Sequence, residues 1–201
     1  MSQVTDTPEV TDVGDGPIAP LTLAESARRV VGWANAEFAL YETVGSWVVG
    51  TPDPGAKIYF DSCSQHHAWR AAAWKDHTAA GWTAKTGIGE TAAGGADEGG
   101  GLMAHLRGAE GTIPRLAAYC RIVLPYTLIA YRSWRAGCSS SADRPVARTL
   151  DRALADVEAD WQDGEQILEG LLRTREEAMA ASTAAGETEC LLVGRGLVHD
   201  G

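Results

Sequence analysis

Between residues 81 and 111 the chain holds ten glycines, and no helix or strand of ordinary length crosses such a stretch. This interval divides the sequence into two halves, and each half reads as a pair of helices. The first segment opens on Thr22-Leu-Ala-Glu25, a spacing that lets Thr22 and Glu25 satisfy each other's free backbone donors. It runs to Gly50 and the TPDPG turn. The second starts between Pro54 and Lys57 and runs to about Ala80. The third begins near Ile113-Pro114 and continues to Gly137, with Pro125 inside it as an expected kink that leaves the Arg121 carbonyl without its usual partner. The fourth starts at Asp143-Arg-Pro145, with Asp143 as cap, and extends to Leu172 or as far as Ala181. A short helical piece near Leu102–Leu106 interrupts the glycines. Residues 1–20 read as a flexible leader and 182–201 as a flexible tail, since no helical pattern follows Gly186.

Short turns inside each half imply two antiparallel hairpins. The 81–111 crossover is long enough to traverse their full length. The expected fold is therefore all-α, a four-helix bundle of two hairpins joined by a long glycine-rich crossover over residues 21–181.

Composition removes several classes of function. The chain has 201 residues, 45% of them apolar, with formal net charge −10. An acidic surface disfavours nucleic acid and anionic membranes as partners. Cys63, Cys120, Cys138 and Cys190 show no CxxC spacing and make neither a disulfide scaffold nor a structural zinc site. No apolar run is long enough to span a bilayer, and no targeting signal opens the chain, so a cytoplasmic location is expected. The 14 arginines against 3 lysines reflect genome composition rather than function. Gly99–Gly101 follows no strand, which argues against a phosphate loop. The run from Arg173 to Glu177 reads as a solvated face, and Trp33, Trp47 and Trp134 as cover for a homodimer surface.

Helical periodicity assigns the inward faces. On the first helix Val30, Ala34, Glu37, Tyr41, Val44 and Val48 share a stripe, with Glu42 to one side. On the third the stripe is Tyr119, Ile122, Tyr126, Ile129 and Ser133; on the fourth it is Leu150, Leu154, Val157, Trp161, Gly164 and Leu168, with Glu158 at the edge. The second helix has no purely polar side. His66 shares one face with Cys63 and Arg70, His67 another with Phe60 and Trp74, and adjacent residues cannot face one point. The expected interior is polar and aromatic: Glu37, Tyr41, Tyr119, Tyr126, Trp161 and one or both histidines.

The segments LYETVGSWV, HHAWRAAAW, LPYTLIAYR, DRPVARTL and DWQDGE resemble a group of actinobacterial ferritin-like proteins, over residues 22–172. The resemblance implies a ferritin-like bundle. A di-iron centre in that fold needs two Glu-x-x-His pairs and two further glutamates. Here the corresponding spacings are Cys63-x-x-His66, Ser64-x-x-His67 and Glu158-x-x-Trp161, and the third helix holds no acidic residue. A reduced iron, copper or zinc site drawn from Glu37, Glu42, His66, His67, Cys63 and Glu158 is the alternative.

The leading expectation is metal-independent and cofactor-free: Glu37 and His66 as acid and base, His67 as substitute, Tyr41 and Tyr126 as orienting groups. Tyr119, Trp161, Cys63 and Trp69 then contact the substrate. Such a site suits a small-molecule enzyme of specialised metabolism carrying out isomerisation, cyclisation or elimination. An iron or copper oxidoreductase and a non-catalytic ligand-binding protein are the competing readings.

Overall fold

The computed structural model describes residues 22–78, 101–139 and 143–195, and among them every regular element is helical. Helix α1 spans Leu23–Gly50 and α2 spans Pro54–Asp76. After the expected short piece, α3 (Leu102–Gly108), comes α4, in three parts: α-helix over Thr112–Ala118, a π-helical turn over Tyr119–Val123, and α-helix again over Leu124–Gly137. Helix α5 spans Arg144–Leu171 and α6 spans Arg175–Arg195. No described helix is long and apolar enough to cross a membrane. The expected leader and most of the crossover lie outside the described residues.

Local chemistry sets the boundaries. Thr22 and Glu25 form the expected reciprocal cap, the Thr22 N–H donating to Glu25 Oε2 at 2.7 Å. Asp53 accepts from the Ala56 N–H at 2.8 Å and Pro54 occupies the first turn of α2. Asp143 does stand at the start of α5, but its carboxylate accepts from the Ser139 N–H instead of capping the helix. Gly111 enters α4 at φ +88°, a conformation that disfavours any side chain.

Paired residues fix the relative directions of the helices. Trp47 meets Phe60, the Tyr41 carbonyl meets Ser64 and Glu37 meets His67, so α1 and α2 run antiparallel. Arg121 with Glu165, Arg132 with Glu158 and Arg135 with Asp151 set α4 antiparallel to α5. Tyr59 lies against Cys120 and Trp74 against Tyr131, so α2 and α4 point the same way.

Several expectations about faces need correction. The π-helical turn bonds the Leu124 N–H to the Tyr119 carbonyl five residues back, directly before Pro125, which has no N–H to give. One residue is thereby added to the register, and the face beyond it rotates. Thr127, Leu128, Tyr131 and Trp134 are buried there, while Ile129 is exposed and Tyr126 only half-buried. On α5 the inward position belongs to Asp160, and Trp161 points outward, 37% exposed. Tyr41 is 39% exposed against Phe38. Trp33, Trp47 and Trp134 are core residues, not a dimer surface. Trp47 packs on Phe60 and donates to the Leu106 carbonyl at 3.1 Å, and Trp134 stacks on Trp74 with centroids 4.9 Å apart. Each such indole removes about 200 Å² from water, worth roughly 5 kcal/mol of transfer free energy.

The expected tail is also helical as far as Arg195. Ala181, Thr188 and Leu192 of α6 are buried, and the Thr188 hydroxyl lies 3.2 Å from His105 Nε2 of α3.

Candidate functional site

Side chains from α1, α2, α4 and α5 meet in one hydrogen-bonded cluster. Glu37, His67, Arg70, Tyr119 and Tyr131 expose no surface, and Asp160 is nearly covered. Glu37 is the organising group. Its Oε2 accepts from His67 Nδ1 at 2.5 Å and from Arg70 Nε at 3.0 Å, and its Oε1 accepts from the Tyr131 hydroxyl at 2.5 Å. The Tyr131 hydroxyl in turn accepts from Trp74 Nε1 at 3.0 Å. Burial alone would raise the Glu37 carboxyl, but the Arg70 guanidinium, His67 and Tyr131 outweigh it and hold it at about 2.

An ionised Glu37 fixes the His67 tautomer. A carboxylate only accepts, so Nδ1 carries the proton and Nε2 accepts from the Tyr119 hydroxyl at 2.7 Å. Arg70 Nη2 lies 3.0 Å from Nδ1, a contact between two donors. Burial and then the guanidinium keep His67 below its ordinary value, hence neutral, despite the pull of Glu37. The result is a continuous relay, Tyr119–His67–Glu37, with every proton directed toward the carboxylate.

Asp160 extends the cluster to the surface. Its Oδ2 accepts from Arg70 Nη1 at 3.4 Å, and its Oδ1 accepts from His66 Nδ1 at 2.7 Å. The His66 side chain is 46% exposed, and no described residue partners its Nε2. The main chain at Asp160 is pinned as well, because the Tyr59 hydroxyl donates to its carbonyl at 2.7 Å. Gly164 makes that contact feasible: a Cβ there would collide with the Tyr59 hydroxyl and Cys120 Sγ. Cys63 and Cys120 are buried free thiols beside these tyrosines, Cys120 pushed up to about 12 by burial.

The structure thus brings together Glu37, His66, His67 and Tyr119 from the sequence-derived set, His67 inside and His66 at the rim. Tyr41, Tyr126, Trp161 and Trp69 take no part in the cluster; Trp69 instead carries the Arg152 guanidinium 4.3 Å above its ring. The alternative metal ligands are dispersed. Glu42 pairs with Arg107 at 4.0 Å and Glu158 with Arg132 at 3.4 Å, both near the surface. Among the described residues no three His, Cys, Asp or Glu side chains are placed to hold a metal ion.

Sequence reasoning missed Arg70, Tyr131 and Asp160 as members of the cluster. For Asp160 a signal existed: the 150, 153, 157, 160, 164 spacing is a regular three-four repeat ending on a glycine. A groove of about 510 Å³ lined by Pro52, Ile113, Pro114 and Leu171 lies at the α1–α2 turn, helical turns away from this cluster. No protein-family model, curated protein or solved structure matches the chain.

Proposed function

We propose that the protein is a ferritin-like helical enzyme that moves a proton within a small organic molecule, without a metal, at the His66–Asp160 rim. The ferritin-like part of this reading is supported by helix direction: α1 with α2 and α4 with α5 form antiparallel pairs, and α2 and α4 are parallel, the directions expected of two hairpins in that bundle. The catalytic part rests on one observation, a histidine held through Nδ1 by a carboxylate while its ring stays half exposed. That leaves Nε2 as the general base that touches substrate, with Asp160 as its positioning residue. Arg70 keeps Asp160 oriented, and Glu37 in turn neutralises Arg70.

A panel of simple carbon acids can test this without the physiological substrate in hand. Chelated protein is incubated in D₂O with small ketones, esters and thioesters, and exchange beside the carbonyl is followed by proton NMR. His66→Gln and Asp160→Asn each lower the exchange rate about 100-fold or more, the scale of a general base, while Glu42→Gln leaves it unchanged. Exchange no faster than buffer, or indifference to His66→Gln, overturns the reading.

A second, non-catalytic reading has its own observation: apart from Arg70 Nη2, every side-chain N and O atom of the inner cluster has a hydrogen-bond partner. Such a closed network fixes helix register. On that reading His66→Gln and Asp160→Asn are silent in every functional assay, whereas Glu37→Gln loosens near-ultraviolet structure.

A further inference from the structure

The rim dyad leaves the inner relay without a task. Tyr119, His67 and Glu37 expose no surface, so no substrate touches them. Two species still pass through a closed interior: a proton along a hydrogen bond, and an electron between neighbouring rings. Tyr119 is placed for both. Its hydroxyl donates to His67 Nε2 at 2.7 Å, and the far nitrogen of that ring donates to Glu37 at 2.5 Å. Its ring makes edge contacts with Trp47 and Tyr59, each with centroids 6.3 Å away, and Trp47 continues to Phe60 at 5.2 Å. A second aromatic series, Trp33, Tyr131, Trp74 and Trp134, has centroid separations of 4.4, 5.7 and 4.9 Å and ends on Glu37 through the Tyr131 hydroxyl.

We propose that Tyr119 is a redox-active tyrosine whose oxidation is coupled to proton transfer to His67. A buried phenol holds its proton, because burial opposes the phenolate. Loss of one electron makes the phenol strongly acidic, and the base that takes its proton is already hydrogen-bonded to it. In the step, Tyr119 gives one electron to an outer-sphere one-electron oxidant, such as a high-potential metal complex. The Oη–H bond breaks, and the proton bonds to His67 Nε2. The products are a neutral phenoxyl, an imidazolium whose Nδ1–H faces ionised Glu37, and the oxidant reduced by one electron. Return of an electron to the ring, and of the proton from Nε2, restores the starting state. The cluster accommodates the added positive charge because two carboxylates, Glu37 and Asp160, flank the single guanidinium of Arg70.

The two other buried phenols serve as controls. Tyr59 donates to a backbone carbonyl, which takes no proton. Tyr131 donates to Glu37, whose affinity for a proton is low. The experiment photo-oxidises the intact protein with a flash-quenched ruthenium tris-bipyridine complex and follows the phenoxyl by absorption and electron paramagnetic resonance. The wild type gives a phenoxyl at least tenfold longer-lived than any signal in Tyr119→Phe. Tyr59→Phe stays within twofold of wild type, Tyr131→Phe keeps the phenoxyl signal, and Glu37→Gln shortens the lifetime. In wild type exchanged into D₂O, the radical shows coupling to one exchangeable deuteron and to a nitrogen, the His67 Nε2–D bond; this measurement needs no variant. Persistence of the signal in Tyr119→Phe, its loss in Tyr131→Phe, or absence of the deuteron and nitrogen couplings overturns the proposal.

Discussion

Arg70 carries a full charge with no exposed surface, and it is tolerated because two carboxylates from two other helices reach it, Glu37 at 3.0 Å and Asp160 at 3.4 Å. Removing the guanidinium strands both. Arg70→Met is expected to destabilise the fold by about 3–5 kcal/mol, the range for breaking a buried ion pair on one side, as read from urea unfolding. Gly164→Ala sets a methyl against Tyr59 and Cys120 and is expected to cost about 1–3 kcal/mol, with Tyr59→Phe in the same chain recovering part of it. At this scale the sequence was informative where a polar residue interrupts an apolar stripe. Glu37 stands between Ala34 and Val44 and could be read as inward. Arg70 lies on a helix with no polar side to contrast with, so periodicity had nothing to sort. Asp160 competed with Trp161 for one inward place, and hydrophobicity favoured the wrong neighbour.

Helix α4 shows how one element can defeat a periodicity argument. Up to Tyr119 the expected face and the buried face agree; beyond the π-helical turn they part by about one residue, roughly 100°. Pro125 flagged a defect at the right place, but a proline does not announce whether the helix bends or adds a residue. Deleting Ile122 returns the turn to α-helical spacing and keeps both faces directed inward, so the variant should fold with near-native circular dichroism. Inserting an alanine after Ile122 instead turns Tyr131 and Trp134 away from Trp74 and is expected to abolish the cooperative thermal transition. Helix α6 was illegible for a different reason: alanine and glutamate are its commonest residues, and its buried positions Ala181, Thr188 and Leu192 form no apolar stripe. Ending the chain at Arg173 should lower the urea midpoint, because the face of α4 beneath α6 then meets water.

For the molecule as a whole, the buried charges predict an acid-sensitive fold. In the unfolded chain His67 takes up a proton as pH falls through 6.5, whereas the native ring resists it. Stability is therefore complete above that value and declines below it. Glu37 acts in the same direction lower down: its native value of about 2 against 4.5 means stability is present above 4.5 and lost as pH falls toward 2. That second loss amounts to about 3 kcal/mol at 1.36 kcal/mol per unit. Urea midpoints measured from pH 8 to pH 3 should hold level down to about pH 6.5 and fall below it, and Glu37→Gln should flatten the lower limb.

The four free cysteines divide by environment. Cys190 is exposed and Cys138 half-buried, while Cys63 and Cys120 are enclosed, with their thiols held protonated by burial. The thiolate is the form that attacks an alkylating reagent, so the enclosed pair reacts only when the helices separate. The protein thus contains a built-in clock. In iodoacetamide, mass spectrometry should record Cys190 labelled early and Cys63 and Cys120 labelled together much later, and the delay between them measures how often the centre of the molecule opens.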